Sequence, residues 1–306
     1  MSKYLIFQDG HCKAKNSVNR KGDYFTDWLI KFDELISIAK ENKVKAIIDN
    51  GDLLDSPEPS YKVLDEIADR IEKAKILVLS LYGNHCMRYR NEQTSKYTGL
   101  AHLFKRSKYF LYLPDYNLED MEVIAVDYAT DIEEKLKTEN LLNFKSNKFR
   151  VGFIHAFVCE TPFPFALHVC CNEIKNSGNC IIFLGHYHKQ FNVKINTAEF
   201  LNIGCFGRNS VTEANIKPSC VLLDTDTRSY KVIELKSAKA GHEVFDLEKI
   251  EESKNKEANL IEFIKSLENI SYQESSIINI IKQVGQENNI DKSVINLIQE
   301  KINEIV

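Results

Sequence analysis

The sequence predicts an α/β protein built as a two-sheet β-sandwich flanked by helices, with a C-terminal helical appendage. Three observations predict it. Short apolar runs alternate with helix-period stretches over the first hundred or so residues, strand-like runs become closely spaced in the middle, and helical patterning returns from about residue 246.

Taken in order, Tyr4-Leu5-Ile6-Phe7 is a four-residue apolar run followed by turn chemistry, as a buried strand requires. Phe25, Trp28, Leu29, Phe32, Leu35, Ile36 and Ile38 then recur at helical spacing. Residues 44–48 form the next strand, Val63, Leu64, Ile67 and Ile71 the next helical stripe, and Ile76-Leu77-Val78-Leu79 a third strand. Strand, helix, strand, helix, strand implies parallel pairing with covered faces. Residues 109–113, 121–126, 150–154, 180–184, 191–194, 200–203, 220–223 and 230–235 are closely spaced strand candidates, so a second, more antiparallel half is expected. The expected catalytic domain covers 1–240, and 241–306 form a helical C-terminal region. Its stripes are Leu260, Ile261, Phe263, Ile264 and Leu267, then Ile277, Ile278, Ile280, Ile281 and Val284, then Val294, Leu297, Ile298, Ile302 and Ile305. An appendage packing on its own chain is the plainer reading of these stripes, and a partner-binding module is the other.

Composition bounds the function. A net charge of -4 argues against a uniformly basic coat for nucleic acid but leaves room for a local basic groove. No run approaches the roughly 18 apolar residues of a membrane span. The N-terminus carries no secretory h-region, and the eight cysteines show no disulfide-framework spacing, so a reducing, cytoplasmic setting is expected.

Five short motifs carry the chemistry: Asp9-Gly10-His11, Gly51-Asp52-Leu53-Leu54-Asp55, Gly83-Asn84-His85, His155, and Gly185-His186-Tyr187-His188. Each follows an expected strand, and sites in open α/β sheets gather beyond the carboxyl ends of strands. Five of the chain's eight histidines fall inside this set, which singles it out from scattered surface or core histidines. Imidazole with carboxylate suits manganese, iron or zinc better than calcium or magnesium. Two such ions about 3.5–4 Å apart need a shared ligand, and a carboxylate such as Asp52 can bridge them around an attacking hydroxide. Cys12 and Cys86 sit beside these motifs but lack a pairing pattern, so a thiolate-zinc alternative is the weaker one. His168 is not required by the set and reads as a non-ligand.

The order D-x-H, G-D-x-x-D, G-N-H, H, G-H-x-H resembles the calcineurin-like metallophosphoesterases, over roughly residues 3–235. The resemblance implies that Asp9, His11 and His188 hold one metal and Asn84, His155 and His186 the other, with Asp52 between them. It implies that His85 contacts the phosphate and helps protonate the leaving oxygen. Within the superfamily the chain is most similar to SbcD-type DNA nucleases and their phage relatives. That likeness rests on Gly51 to Ser60, on the preceding helix end Ile36 to Glu41, and on Phe200 to Gly204 followed by Arg208. Cys86 stands where many relatives have an acidic residue, and Asp55 where some nucleases have a second catalytic histidine.

Two loops near the motifs are basic: Lys13, Lys15, Arg20 and Lys21 after the first, Arg88, Arg90 and Lys96 after the third, with Tyr89 and Tyr97 interleaved for base stacking. Arg88, Arg90 and Arg208 are the candidate substrate contacts. The apolar segment from Phe157 to His168 is expected to pack against its own domain, with a wall of the site or a contact for a partner as the alternatives. The expected activity is hydrolysis of DNA phosphodiester bonds with two divalent ions, manganese first and iron or zinc as alternatives. The resemblance adds an SbcC-like coiled-coil ATPase and a homodimer as partners, and no membrane is expected. The competing reading is a phosphatase or phosphodiesterase acting on nucleotides, phosphoproteins or small phosphoesters, and a third is a scaffold with a degenerate site.

Overall fold

A computed structural model describes residues 2–163, 166–176, 178–247, 285 and 290–303. The chain divides into two compact units, Met1–Phe245 and Asp246–Val306. Among the described residues no helix is long and apolar enough to cross a membrane.

The first unit contains the strands β1 (Lys3–Phe7), β2 (Ala46–Asp49), β3 (Leu77–Ser80), β4 (Phe110–Tyr112), β5 (Met121–Val126), β6 (Phe149–Ala156), β7 (Val158–Cys159), β8 (Val169–Cys170), β9 (Cys180–His186), β10 (Phe191–Ile195), β11 (Ala198–Asn202), β12 (Ser219–Asp224) and β13 (Ser229–Glu234). Its helices are α1 (Tyr24–Glu41), α2 (Tyr61–Ala74), α3 (Gly99–Arg106), α4 (Ile132–Thr138) and α5 (Gly241–Val244). One sheet has the order β13-β12-β1-β2-β3-β4, the other β10-β11-β9-β6-β5, and β7 and β8 form a small ribbon.

Strand parity explains the layers. Tyr4 and Ile6 of β1, Ile48 of β2 and Leu79 of β3 share a buried cluster with Val151 and Phe153 of β6, Phe183 of β9 and Leu201 of β11. These alternate residues face the opposing sheet, because successive side chains point to opposite faces. The intervening residues Leu5, Phe7, Ile47 and Val78 join Phe25, Trp28, Phe32, Leu35 and Ile67 of α1 and α2 in a second cluster. The two-sheet α/β architecture with outer helices is therefore the one the patterning requires.

α1 begins where the Asp23 carboxylate accepts the Thr26 N–H at 2.7 Å, a side-chain cap on an otherwise orphaned donor. α2 presents Val63, Leu64, Ile67 and Ile71, all buried, at the expected spacing and stops at Lys75 in a left-handed conformation.

The closely spaced strands do not form a more antiparallel half. In the second sheet β5/β6, β6/β9 and β9/β11 are parallel, and only β10/β11 is antiparallel. β4, β12 and β13 join the first sheet, where β12 pairs antiparallel with the free side of β1. The reason lies in the connections. α4 lies between β5 and β6, and a long segment separates β6 from β9, so each has the chain length a parallel crossover needs.

In the second unit the helix α6 (Lys292–Asn303) carries Val294, Leu297, Ile298 and Ile302, and Leu297 is exposed. The stripes at 260–267 and 277–284, together with Ile305, lie outside the described residues, as do Pro164 and Phe165 of the apolar segment.

Candidate metal centre

The motif residues converge at the carboxyl ends of β1, β2, β3, β6 and β9. Asp9 and His11 follow β1, Asp52 follows β2, Asn84 and His85 open a 3-10 turn after β3, His155 lies near the end of β6, and His186 ends β9 with His188 just beyond it. The backbones of the first two loops are laced together. Asp9 N–H donates to the Gly51 carbonyl at 3.1 Å, and His11 N–H to the Asp52 carbonyl at 2.8 Å. α1 supports the same loop from outside: Trp28 Nε1 donates to the Gly10 carbonyl at 2.7 Å and the Tyr24 hydroxyl to the His11 carbonyl at 2.8 Å.

Asp9, His11, Asp52 and His186 all take positive φ, a conformation disfavoured for residues with a Cβ. Such backbone persists at functional sites when the surroundings enforce it. Two glycines leave the room required. A Cβ on Gly83 would fall 2.1 Å from Asp52 Oδ1, and one on Gly51, itself at φ +95°, would fall 2.2 Å from His155 Nδ1.

Two sets of donors lie close enough to meet at one ion each: Asp9 with His11 and His188, and Asp52 with His155 and His186. Asn84 joins the second set through Oδ1, 2.6 Å from His186 Nδ1. His11 also groups with Asp52 and His85, so Asp52 touches both sets. The donor atoms face one another: His11 Nε2 lies 3.1 Å from His188 Nε2, and His155 Nε2 lies 3.2 Å from Asp52 Oδ2. His155 Nε2 and Asp52 Oδ2 are buried and make no well-directed hydrogen bond. Buried polar atoms left this way are costly unless something pairs them. A divalent cation does so, and this mixture of imidazole, carboxylate and amide oxygen fits one.

The electrostatics agree. Burial opposes charge on both partners, but Asp52 raises His155 to about 9, and His155 holds Asp52 far below the ordinary carboxylate range. Proton and metal therefore compete for the same nitrogen. Burial and the neighbouring His155 push His186 down to about 3, leaving its imidazole neutral, the form that ligates metal.

Glu213 and Gln8 escaped the sequence reading, and Asn202 and Asp55, which it named only within motifs, take specific contacts here. Glu213 accepts from His188 Nδ1 at 2.6 Å, which directs Nε2 inward. Its signal was present in the chain: Ser210-Val211-Thr212-Glu213 is a capping-box pattern, and Ser210 N–H does donate to Glu213 Oε2. Asn202 accepts from Gln8 Nε2 at 2.9 Å and donates to the Tyr187 carbonyl, tying the Asp9 and His188 loops together. Asp55 sits beside both His11 and His85: Oδ1 is 3.5 Å from His11 Nδ1, and the backbone carbonyl is 3.1 Å from His85 Nδ1.

The candidate substrate contacts separate. Arg88 is paired with Glu58 at 2.6 Å. Arg90 lies near Tyr128, where its charge opposes the rise that burial gives the phenol, and the Tyr128 ring is 5.6 Å from that of His186, so Arg90 stands at the rim of the donor cluster. Arg208 is buried, with its two terminal nitrogens donating to the carbonyls of Ile216 and Lys239. Lys13 and Arg20 are engaged by Asp55 and Asp27. Phe157 does wall the site, with its ring 5.9 Å from His186 and 4.7 Å from Tyr187.

The profile of the calcineurin-like phosphoesterase superfamily domain matches residues 3–228. The chain belongs to that superfamily. Its members typically bind two divalent metals, so membership implies metal-dependent hydrolysis of phosphoesters. No functionally curated protein matches this phosphoesterase in sequence. Among solved structures it is similar to a protein described as a novel archaeal phosphodiesterase, at 15% identity and a TM-score of 0.42, over 76% of this chain and 99% of that one. It is also similar to a protein of Thermus thermophilus, at 10% identity and a TM-score of 0.44, over 77% of this phosphoesterase and 99% of the other chain.

Proposed function

We propose that this phosphoesterase hydrolyses DNA phosphodiester bonds as an SbcD-type nuclease. In this reading Asp9, His11 and His188 hold one divalent ion, Asn84, His155 and His186 a second, and Asp52 both. The observation that carries its metal chemistry is the buried Asp52 Oδ2 and His155 Nε2, which face each other at 3.2 Å without a well-directed hydrogen bond, with Asp52 close to both donor sets. When bound, two such ions supply a nucleophile from water at neutral pH and offset charge on the phosphate oxygens.

The chain's own residues do the rest. Asp52 Oδ1 accepts the His85 N–H at 2.9 Å, which sets the turn from which the His85 ring projects, partly exposed. With Nδ1 turned to the Asp55 carbonyl, Nε2 is the nitrogen left to meet a phosphate and give its proton to the leaving oxygen. Burial works against the Asp55 carboxylate, but His11 and Lys13 hold it below the ordinary carboxylate range, so a negative charge stands 4.0 Å from His85 Nδ1. The loop running on from His85 supports a polymeric substrate. Tyr89 and Tyr97 are 97% and 69% exposed, which is the presentation that base stacking requires, and Lys96 lies over the Tyr97 ring. An SbcC-like ATPase and a second copy of this chain are the partners this reading carries with it.

Three results test the proposal. With manganese, the protein is expected to cleave single-stranded or open-ended duplex DNA; turnover of para-nitrophenyl phosphate or a cyclic dinucleotide with DNA left intact would replace the nuclease reading with that of a small-phosphoester enzyme. Arg90→Ala is expected to lower the slope of log affinity against log salt for DNA by about one, whereas Arg88→Ala, already neutralised by Glu58, changes it little. Equal slopes in wild type and Arg90→Ala would remove Arg90 from the DNA path. Glu213→Gln is expected to weaken manganese binding by roughly 10–100-fold, the usual effect of losing the partner that orients a metal-bound histidine. Titration of free manganese by electron paramagnetic resonance reads this directly, and unchanged affinity would count against His188 as a ligand.

A further inference from the structure

Behind the Phe157 wall lies a second cluster of metal-ligating side chains that the phosphoesterase site does not use. Cys159, Cys170 and His168 place one donor atom each within 4.8 Å of one another. The two cysteines are register partners in the β7–β8 ribbon, and their sulfurs are 3.9 Å apart. With zinc–sulfur bonds of about 2.3 Å, the edge of a tetrahedral site is about 3.8 Å, close to this separation and nearly twice a disulfide bond. His168 has the partner that metal-bound histidines commonly have: its Nδ1 lies 2.8 Å from the Ala166 carbonyl, which fixes the proton there and leaves the lone pair on Nε2. That nitrogen now accepts the Phe163 N–H at 3.2 Å, a long bond that ligation would displace.

The ribbon gives such a site a purpose. It pairs two residues with two, in parallel, across a connection shorter than parallel strands usually need. Little in the ladder itself holds it closed. Yet the residue before it, Phe157, packs its ring tilted against Tyr187 and edge-on to His186, and lies edge-on to the His168 ring with centroids 6.4 Å apart, so the ribbon's geometry sets the wall of the active site.

We propose that Cys159, Cys170 and His168 bind a zinc-class divalent ion, separate from the catalytic pair, that pins the β7–β8 ribbon against the active-site wall. Cys159 and Cys170 are buried, while His168 is partly exposed, so the fourth position is open to water. Burial and the neighbouring Cys170 push the Cys159 thiol up to about 12, so without metal that thiol keeps its proton. Binding exchanges the two thiol protons for one divalent cation, and affinity therefore rises with pH. No electron transfer is involved.

Cobalt(II) separates this site from the catalytic one, because only thiolate ligands give an intense near-ultraviolet charge-transfer absorption. The full chain, kept reduced, stripped with chelator and titrated with cobalt to saturation, is expected to develop that band. Zinc is expected to bleach it. The band should disappear in Cys159→Ser and in Cys170→Ser, shift in His168→Gln, and persist in Asp52→Asn, whose defect lies in the other site. Folded wild-type protein that saturates with cobalt without the band would overturn the proposal whatever the variants do. So would a band that survives both cysteine substitutions, or rapid closure of Cys159–Cys170 into a disulfide in the presence of saturating zinc.

Discussion

Asp52→Asn is expected to lose at least one of two metal equivalents and to lower kcat/KM by about 10³-fold or more, the scale on which a centrally placed charge stabilises a transition state. The substitution is chosen because it preserves shape. Asp52 is 1% exposed, and the Gly83 backbone leaves no room beside Oδ1 for anything larger. An asparagine oxygen at the Oδ1 position can still accept the His85 N–H, so the third-motif turn should survive. What is lost is the negative charge and the second anionic oxygen, the one that faces His155 Nε2 at 3.2 Å. An amide nitrogen in its place would present hydrogens to a site that both His155 and a metal ion require as an acceptor. Metal content by mass spectrometry of dialysed protein, read beside turnover of DNA, checks the outcome. Full turnover with both metals retained would remove Asp52 as the shared ligand. Loss of circular dichroism would instead show that the buried pair with His155 serves folding, since breaking such a pair by removing one partner costs about 3–5 kcal/mol.

How much of this centre was legible in the chain depends on the range of each interaction. The motif residues were visible because each rides on a short element with its own local signal: an apolar strand, then a glycine turn, then the donor. That signal does not need the fold. Asn202 joins Gln8 across 194 positions, and no local pattern announces the pairing. Glu213 did carry a local signal, the capping box opened by Ser210, but its contact with His188 appears only when the loops after β9 and β11 close on one another. Arg208 shows the opposite error. Its position after Phe200–Gly204 suggested a phosphate contact, but the β11–β12 loop folds its guanidinium onto backbone carbonyls.

Sheet membership was harder still. The strands of the middle region were recognised as strands by their apolar runs, but spacing alone implied hairpins. Whether two neighbours pair antiparallel depends on what fills the connection and on which edge is vacant. β12 and β13 form a hairpin, as spacing suggests, and then complete the first sheet beside β1. β5 and β6 are separated by a crossover containing α4 and run parallel. The same distinction matters for the ribbon of β7 and β8, where two cysteines with no sequence spacing typical of a zinc finger become neighbours only through strand register.

His85→Asn is the second large effect and tests chemistry more than assembly. His85 is held by its backbone N–H on Asp52 and by Nδ1 at the Asp55 carbonyl, and its partly exposed ring lies edge-on to His11 with centroids 4.7 Å apart. Asparagine keeps the backbone bond and removes the proton that imidazolium can donate. Metal content is therefore expected to stay at the wild-type value while kcat on DNA falls by roughly 100-fold or more, in the range of lost general acid catalysis. A comparison of leaving groups separates that role from mere positioning. A deoxyribose oxygen leaves poorly unless it is protonated, whereas para-nitrophenolate is stable as an anion. If His85 supplies the proton, the variant should be strongly impaired on DNA and much less so on bis(para-nitrophenyl) phosphate. Equal losses on both substrates would mean that His85 orients or stabilises the phosphate itself, and loss of a metal ion would mean that it belongs with Asn84 among the ligands.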